Sequence, residues 1–293
     1  MGSEPFISVE NLSLRVPVYV QRERSARSML TNFFTALFDP PLREYRDLLH
    51  DLSFEIKDGD RVAIIGANGA GKSTLLRALV GAYQPTSGTI RSRGSRQAIL
   101  NVSLGFNGDA TVKENILLRG ATMDLPLREL RRLAPEILAF AELEDKANDR
   151  LRTLSSGQRM RLGFAITTAQ QSDILMMDEW IGTGDAGFIE KARLRMMSRV
   201  DGSRILVMAS HNAQMSRHIC NKAIYLRDGG LVAAGAYADV QGMYHAHIGV
   251  PMPPGRAAAA AAPAAPAAPT APTAPTPAPA ADAAAPRSLE NRG

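Results

Sequence analysis

One nine-residue stretch limits the fold of this chain more than any other feature. Gly66-Ala-Asn-Gly-Ala-Gly-Lys72-Ser73-Thr74 follows the short apolar run Arg61-Val-Ala-Ile-Ile and precedes a helical apolar pattern at Leu75, Leu76, Leu79 and Val80. A buried strand that breaks into glycines and turns at once into a helix is the setting of a phosphate-binding loop. Gly66, Gly69 and Gly71, with Asn68 and Ala70 between them, let the backbone curl until successive N–H groups face one centre. The start of the helix adds its positive dipole end. Lys72 brings a cation to the β- and γ-phosphates, Ser73 a hard oxygen suited to Mg²⁺, and Thr74 continues the first turn. The pattern implies a nucleoside triphosphate.

The surroundings agree with a strand–helix alternation. The segment 6–14 reads as a strand, and Asp51–Ile56 alternates strictly, with Leu52, Phe54 and Ile56 on one face. Lys57-Asp-Gly-Asp is a turn. Ile174-Leu-Met-Met-Asp178 and Ile205-Leu-Val-Met-Ala are further apolar runs of the kind buried on both faces of a parallel sheet. Residues 223–235 read as a closing hairpin. The stretch 111–164 is rich in Leu, Arg, Glu and Ala and predicts a helical subdomain. The expected class is α/β, with a mixed sheet core.

Composition divides the chain in two. Residues 251–293 hold 18 Ala and 11 of the 18 Pro, a content too poor in large apolar side chains to offset the entropy of ordering. The repeated prolines also interrupt any alanine helix. This tail is expected to be a disordered spacer, and residues 1–250 the folded part. Cys220 is the single cysteine, which excludes an intrachain disulfide and a cysteine metal cluster. No stretch nears the ~20 apolar residues of a membrane span, and the N-terminus lacks the regions of a signal peptide. The formal charge of +5 is too mild to argue for a nucleic-acid partner, and none is expected.

Four further elements follow in order. Leu154-Ser155-Ser156-Gly157-Gln158 opens an apolar-periodic helix, with Ser155 as N-cap and another anion site behind it. Asp178 and Glu179 end a strand, the first suited to Mg²⁺ and the second to accepting a proton from water. Asp185 follows in Gly-Thr-Gly-Asp-Ala-Gly, and His211 ends the next strand, where α/β sheets bind ligands. A serine cap, a solvated strand end or a lone histidine would each be ordinary alone. As an ordered set the five resemble the ATP-binding subunit of an ABC transporter. They correspond to its Walker A loop (66–74), signature (154–158), Walker B with catalytic Glu (174–179), D-loop (Asp185) and switch histidine (His211). The resemblance spans about residues 7–240.

That resemblance implies an ATPase of the P-loop NTPase fold, a RecA-like sheet with an antiparallel β subdomain and the inserted helical subdomain. It implies a homodimer in which two ATP molecules lie between head-to-tail chains. Each ATP then meets Walker A of one chain and Ser155, Ser156, Gly157 and Gln158 of the other. Glu179 polarises water, His211 holds the γ-phosphate, and Mg²⁺ sits on Ser73 and Asp178. It also implies a separate transmembrane permease and a peripheral place on the cytoplasmic face of the inner membrane.

Some details depart from the general pattern. The signature reads LSSGQ, with Ser156 where glycine is usual. The glutamine expected before the helical subdomain is absent: Gln97 lies early, and Asn101 and Asn107 are alternatives. Tyr19 is the nearest aromatic for stacking on adenine. These features, with Ser103-Leu-Gly-Phe, Thr111-Val-Lys-Glu-Asn, Arg161-Leu-Gly-Phe-Ala and Asp178-Glu-Trp-Ile-Gly-Thr-Gly-Asp, resemble the ATPases of bacterial O-antigen, capsule and teichoic acid exporters. The resemblance implies export of a lipid-linked polysaccharide. The alternatives are another ABC exporter or importer, or a soluble ABC ATPase. The insertion 20–49 places Met29, Leu30, Phe33, Phe34, Leu37 and Phe38 on one helical face. That face suits either the chain's own sheet or a membrane surface.

Overall fold

The computed structural model describes residues 4–19, 43–100, 105–123, 125–178, 186–209 and 213–249. All lie within the unit Met1–Met252; the tail from residue 253 onward lies outside the described residues. So do 20–42, which hold the amphipathic stretch of the insertion.

The central frame is one sheet of nine strands in the order β4-β1-β2-β9-β8-β3-β7-β6-β5. Its parallel part is built from β3 (Arg61–Ile65), β5 (Arg96–Ile99), β6 (Ile174–Asp178), β7 (Ile205–Ala209) and β8 (Lys222–Arg227). The central strands of this part are apolar because helices cover both faces: every residue of β7 is buried, as are four of the five in β6. Strand β9 (Gly230–Ala236) pairs antiparallel with β8 across the turn Asp228-Gly229, as the hairpin pattern predicts.

The antiparallel part is β1 (Phe6–Tyr19), β2 (Arg43–Lys57) and β4 (Ser87–Arg93). It joins the parallel part at a single parallel bridge, His50 to Gly230. Both β1 and β2 run further than the alternation suggests. The strand expected to end at residue 14 continues to Tyr19, and residues 43–49, assigned from sequence to the insertion, belong to β2. Pairing continues from Leu14↔Leu49 to Tyr19↔Arg43 through register shifts. Asn11 and Asp51 take positive φ at 49° and 52°, at the shifts where the two strands fall out of step. Tyr45, Arg46 and Asp47 stand on an exposed ribbon, so burial imposes no alternation there to read.

Helix α1 (Lys72–Val80) packs Leu75, Leu76 and Leu79 into the core shared by both parts of the sheet. The other sheet face is covered by α5 (Ala186–Gly202) and α7 (Tyr237–Ile248), with Phe188, Met196, Tyr237 and Val240 buried. The short α6 (Ala213–Ile219) connects β7 to β8. Between β5 and β6 come α2 (Val112–Ala121), α3 (Leu127–Ala141) and α4 (Ser156–Thr167), the helical subdomain with its own core of Val112, Ile116, Ile137 and Leu162. Helix α4 links the two cores: Leu162 faces the subdomain while Phe164, fully buried, faces the sheet. Among the described residues no helix is long and apolar enough to cross a membrane.

Candidate nucleotide site

The loop predicted to hold phosphate is held open from behind. Gly66, Gly69 and Gly71 all take positive φ, at 152°, 82° and 103°. At Gly66 a Cβ would lie 2.3 Å from the Leu226 carbonyl oxygen of β8, so only glycine lets the loop leave β3 there. At Gly71, which caps α1, a Cβ would meet Leu49 Cδ2 at 3.0 Å and Leu48 O at 3.3 Å. Ala70 is buried, and its carbonyl accepts from the Gly229 amide at 3.2 Å. The loop is thus seated against the β8–β9 turn and against β2.

A cavity of about 560 Å³ opens in front of it. Asn68, Gly69, Gly71, Lys72, Ser73 and Thr74 line it, together with Asp178 at the end of β6. Lys72 is nearly buried, and its Nζ donates to Gly66 O and Ala67 O at 2.9 Å each, which folds the side chain back over the loop. Backbone amides, the Lys72 ammonium, the Ser73 hydroxyl and the Asp178 carboxylate around a single space form the donor set of a metal-bound triphosphate.

Sequence reasoning missed part of the lining. Arg46, Asp47 and Leu48 of β2, Ala209 at the end of β7, and Asp228-Gly229 also border the cavity. Arg46 and Asp47 were unreadable because they sit on the exposed ribbon. Asp228 carried a signal: it holds φ 48° in an Asp-Gly turn, a conformation Asx residues tolerate.

Ser155 and Gln158 do not join this cavity. Ser155 Oγ accepts from the Gln158 amide at 3.2 Å, while the Ser155 amide donates to Gln158 Oε1 at 3.0 Å, a capping box that starts α4. Ser156 and Gly157 form the first turn. A Cβ added to Gly157 would meet nothing nearer than Ser155 Oγ at 4.0 Å. Among the described residues, nothing requires glycine at that position.

Of the other predicted residues, Glu179, Asp185 and His211 lie outside the described residues. Glu179 is the residue after Asp178, and His211 lies two residues beyond Ala209, so both follow strand ends that line the cavity. Tyr19 closes β1, but its side chain is outside the described residues. Gln97 is buried inside β5 and donates to Thr167 O, which commits it to packing. Asn107 is committed too: its Oδ1 accepts from the Asp109 amide at 3.0 Å, an Asx turn in its own loop. Asn101 lies outside the described residues.

Comparisons with known proteins agree with this architecture. A sequence model of the family described as ABC transporter matches residues 49–182. The O-antigen export system ATP-binding protein RfbE of Yersinia enterocolitica is 37% identical over 223 residues, 75% of this chain and 93% of that protein. RfbB of Myxococcus xanthus, with the same description, is 34% identical over 82% of this chain, which spans 57% of it. The teichoic acids export ATP-binding protein TagH of Bacillus anthracis is 34% identical over 69% of this chain, which spans 36% of it. A solved ATP-binding subunit of an ABC transporter superposes with a TM-score of 0.58 at 21% identity, covering 82% of this chain and 93% of that one. A dimeric ATP-binding cassette bound to ADP and Pi superposes with a TM-score of 0.54 at 23% identity, covering 78% and 98%. By the similarity to RfbE along nearly its whole length, and by the fold that seats the phosphate loop, this chain belongs to the ABC transporter family, as one of its ATP-binding, ATP-hydrolysing subunits.

Proposed function

We propose that two copies of this chain close head to tail over two ATP molecules, and that their hydrolysis drives export of a lipid-linked polysaccharide through a separate membrane permease. Gly157 carries the two-chain part. Glycine near the start of a helix costs helix stability, and among the described residues no packing contact calls for it. The need then comes from outside, from a phosphate of an ATP held by the Walker A loop of the other copy. Gly157 and Ser155 flank that approach, and the amides of the first turn of α4 face the anion. The LSSGQ variant is compatible with this, since its extra hydroxymethyl is on Ser156.

In the cavity, Gly66, Asn68, Gly69, Ala70, Gly71, Lys72, Ser73 and Thr74 bind and orient the triphosphate. The Ser73 hydroxyl and Asp178 carboxylate border the same space and suit a small hard cation. Mg²⁺ bound there offsets charge on the β- and γ-oxygens. Glu179 accepts a proton from the attacking water, His211 donates to the γ-phosphate, and Asp185 lies at the contact between copies. Tyr19 stacks on adenine.

The polysaccharide cargo is supported by the relatives, which are O-antigen and teichoic acid export proteins. The chain then works at the cytoplasmic face of the inner membrane, with the amphipathic stretch 29–38 toward permease or lipid. A cell whose only copy carries Lys72→Ala should keep lipid-linked glycan inside and lose it from the surface. Normal surface glycan in that cell contradicts the cargo.

A further inference from the structure

We propose that Glu142 and Lys191 form a clamp that positions the helix opened by Ser155, and so governs turnover of the site completed between two copies. The proposal deepens the two-copy reading above and rests on it for its effect on hydrolysis.

Three helices meet at one aromatic cluster. Phe140 of α3, Phe164 of α4 and Phe188 of α5 stand with ring centroids 5.8–6.0 Å apart. Glu142 follows directly as the C-cap of α3, at φ 58° and ψ 50°. That left-handed conformation is disfavoured for a residue with a Cβ and persists where the surroundings impose it. Its carboxylate joins the other two helices. Oε2 accepts from Arg161 Nη1 of α4 at 2.7 Å, and Oε1 pairs with Lys191 Nζ of α5 at 3.3 Å. Lys191 also donates to Phe140 O at 3.0 Å and lies 4.8 Å from the Phe140 ring centroid. One turn on, Arg195 stands 4.3 Å from the centroid of the same ring and pairs with Glu136. Helix α5 therefore grips the C-terminal end of α3 with two cations, the charge that end favours, and reaches α4 through Glu142.

The placement of these helices gives the clamp its consequence. Helix α4 begins beside Ser155, and α5 begins just after residues 179–185, which carry Glu179 and Asp185. The clamp thus links the helix that presents the signature to the one that follows the Walker B strand. The Glu142 side chain is 54% exposed, so the pairs add little to folding. Their effect belongs in the relative position of α4 and α5.

The test uses full-length Lys191→Met, Lys191→Arg and Glu142→Gly proteins. Glycine takes the left-handed conformation freely, so Glu142→Gly removes the carboxylate without strain. For Lys191→Met and Glu142→Gly, kcat should fall about fivefold or more, with equilibrium ATP affinity within about twofold of wild type. Lys191→Arg should restore kcat. Amide hydrogen exchange at the first turn of α4 should quicken in Lys191→Met, with exchange in β6 and β7 unchanged. Unchanged kcat in both variants overturns the clamp, as does a loss of kcat matched by loss of ATP affinity and Tm. If the wild-type chain neither hydrolyses ATP nor dimerises with it, the two-copy reading fails. The clamp is then decided by exchange alone, and unaltered exchange in α4 overturns it.

Discussion

The Gly229 amide donates to Ala70 O at 3.2 Å, which ties the phosphate loop to the β8–β9 turn. Gly229 holds φ 81°, and a Cβ on it would lie 2.6 Å from Leu48 O and 2.9 Å from His50 Cε1. Backbone stands on one side and an imidazole on the other, so a methyl group has nowhere to go. Gly229→Ala should cost about 1–3 kcal/mol of stability and weaken ATP binding, measured by calorimetric titration. Gly59 is the control: its φ is 83°, with nothing within 4 Å. Gly59→Ala should cost roughly 1–2 kcal/mol and leave ATP affinity unchanged.

Gly157 tests the two-copy site from the opposite direction. Its neighbourhood is open, so Gly157→Ala should stabilise α4, by up to about 1 kcal/mol on helix propensity. The same substitution should abolish ATP-dependent dimerisation and reduce hydrolysis at least about a hundredfold. A thermal melt beside a phosphate-release assay separates the two effects. Retained hydrolysis in a stabilised protein would mean that Gly157 does not approach a phosphate.

Asp173 gives the fold a defined acid response. Its carboxylate accepts from the Ser95 amide and the Ser95 hydroxyl, both at 2.8 Å, which ties the start of β5 to the start of β6. The Ser95 amide is the largest cause, the hydroxyl the next, of a pKa held below the ordinary carboxylate value. A depressed folded pKa stabilises the protein above the unfolded value, about 3.9, and that contribution fades as pH falls through the folded value. Asp173→Asn should therefore be less stable than wild type above about pH 5, with the gap closing below about pH 4. Denaturant melts across that range check it, and a constant gap would contradict it.

Cys220 should be inert. It is 7% exposed at the end of α6, and burial pushes its thiol up to about 12. Since the thiolate is the reactive form, a thiol reagent at pH 8 should label the native chain at least roughly a hundredfold more slowly than the unfolded chain. Rapid native labelling would show that the β7–β8 connection opens readily.

Much of the architecture was legible in the sequence because its signals are local and redundant. The phosphate loop, the apolar runs of β3, β6 and β7, the β8–β9 hairpin and the Ser155 cap each follow from short patterns that burial or capping enforces. Residues 45–47 were not legible. They pair along an exposed ribbon, so no burial period marks them. The reach of Arg46 and Asp47 to the cavity, and of Gly229 to Ala70, depends on pairings between segments far apart in the chain. Gln97 shows the converse. Residue type made it a candidate, and a buried bond to Thr167 O excludes it.

The most direct test of the account is the behaviour of a full-length Glu179→Gln protein with ATP and Mg²⁺. Glutamine keeps the shape of the side chain and removes the base. Size-exclusion chromatography with light scattering should find a monomer without nucleotide and a dimer with ATP, retaining two ATP per dimer and releasing almost no phosphate. A second substitution, Gly157→Ala, should return that protein to a monomer. A Glu179→Gln protein that stays monomeric with saturating ATP, or hydrolyses it at the wild-type rate, would contradict the account.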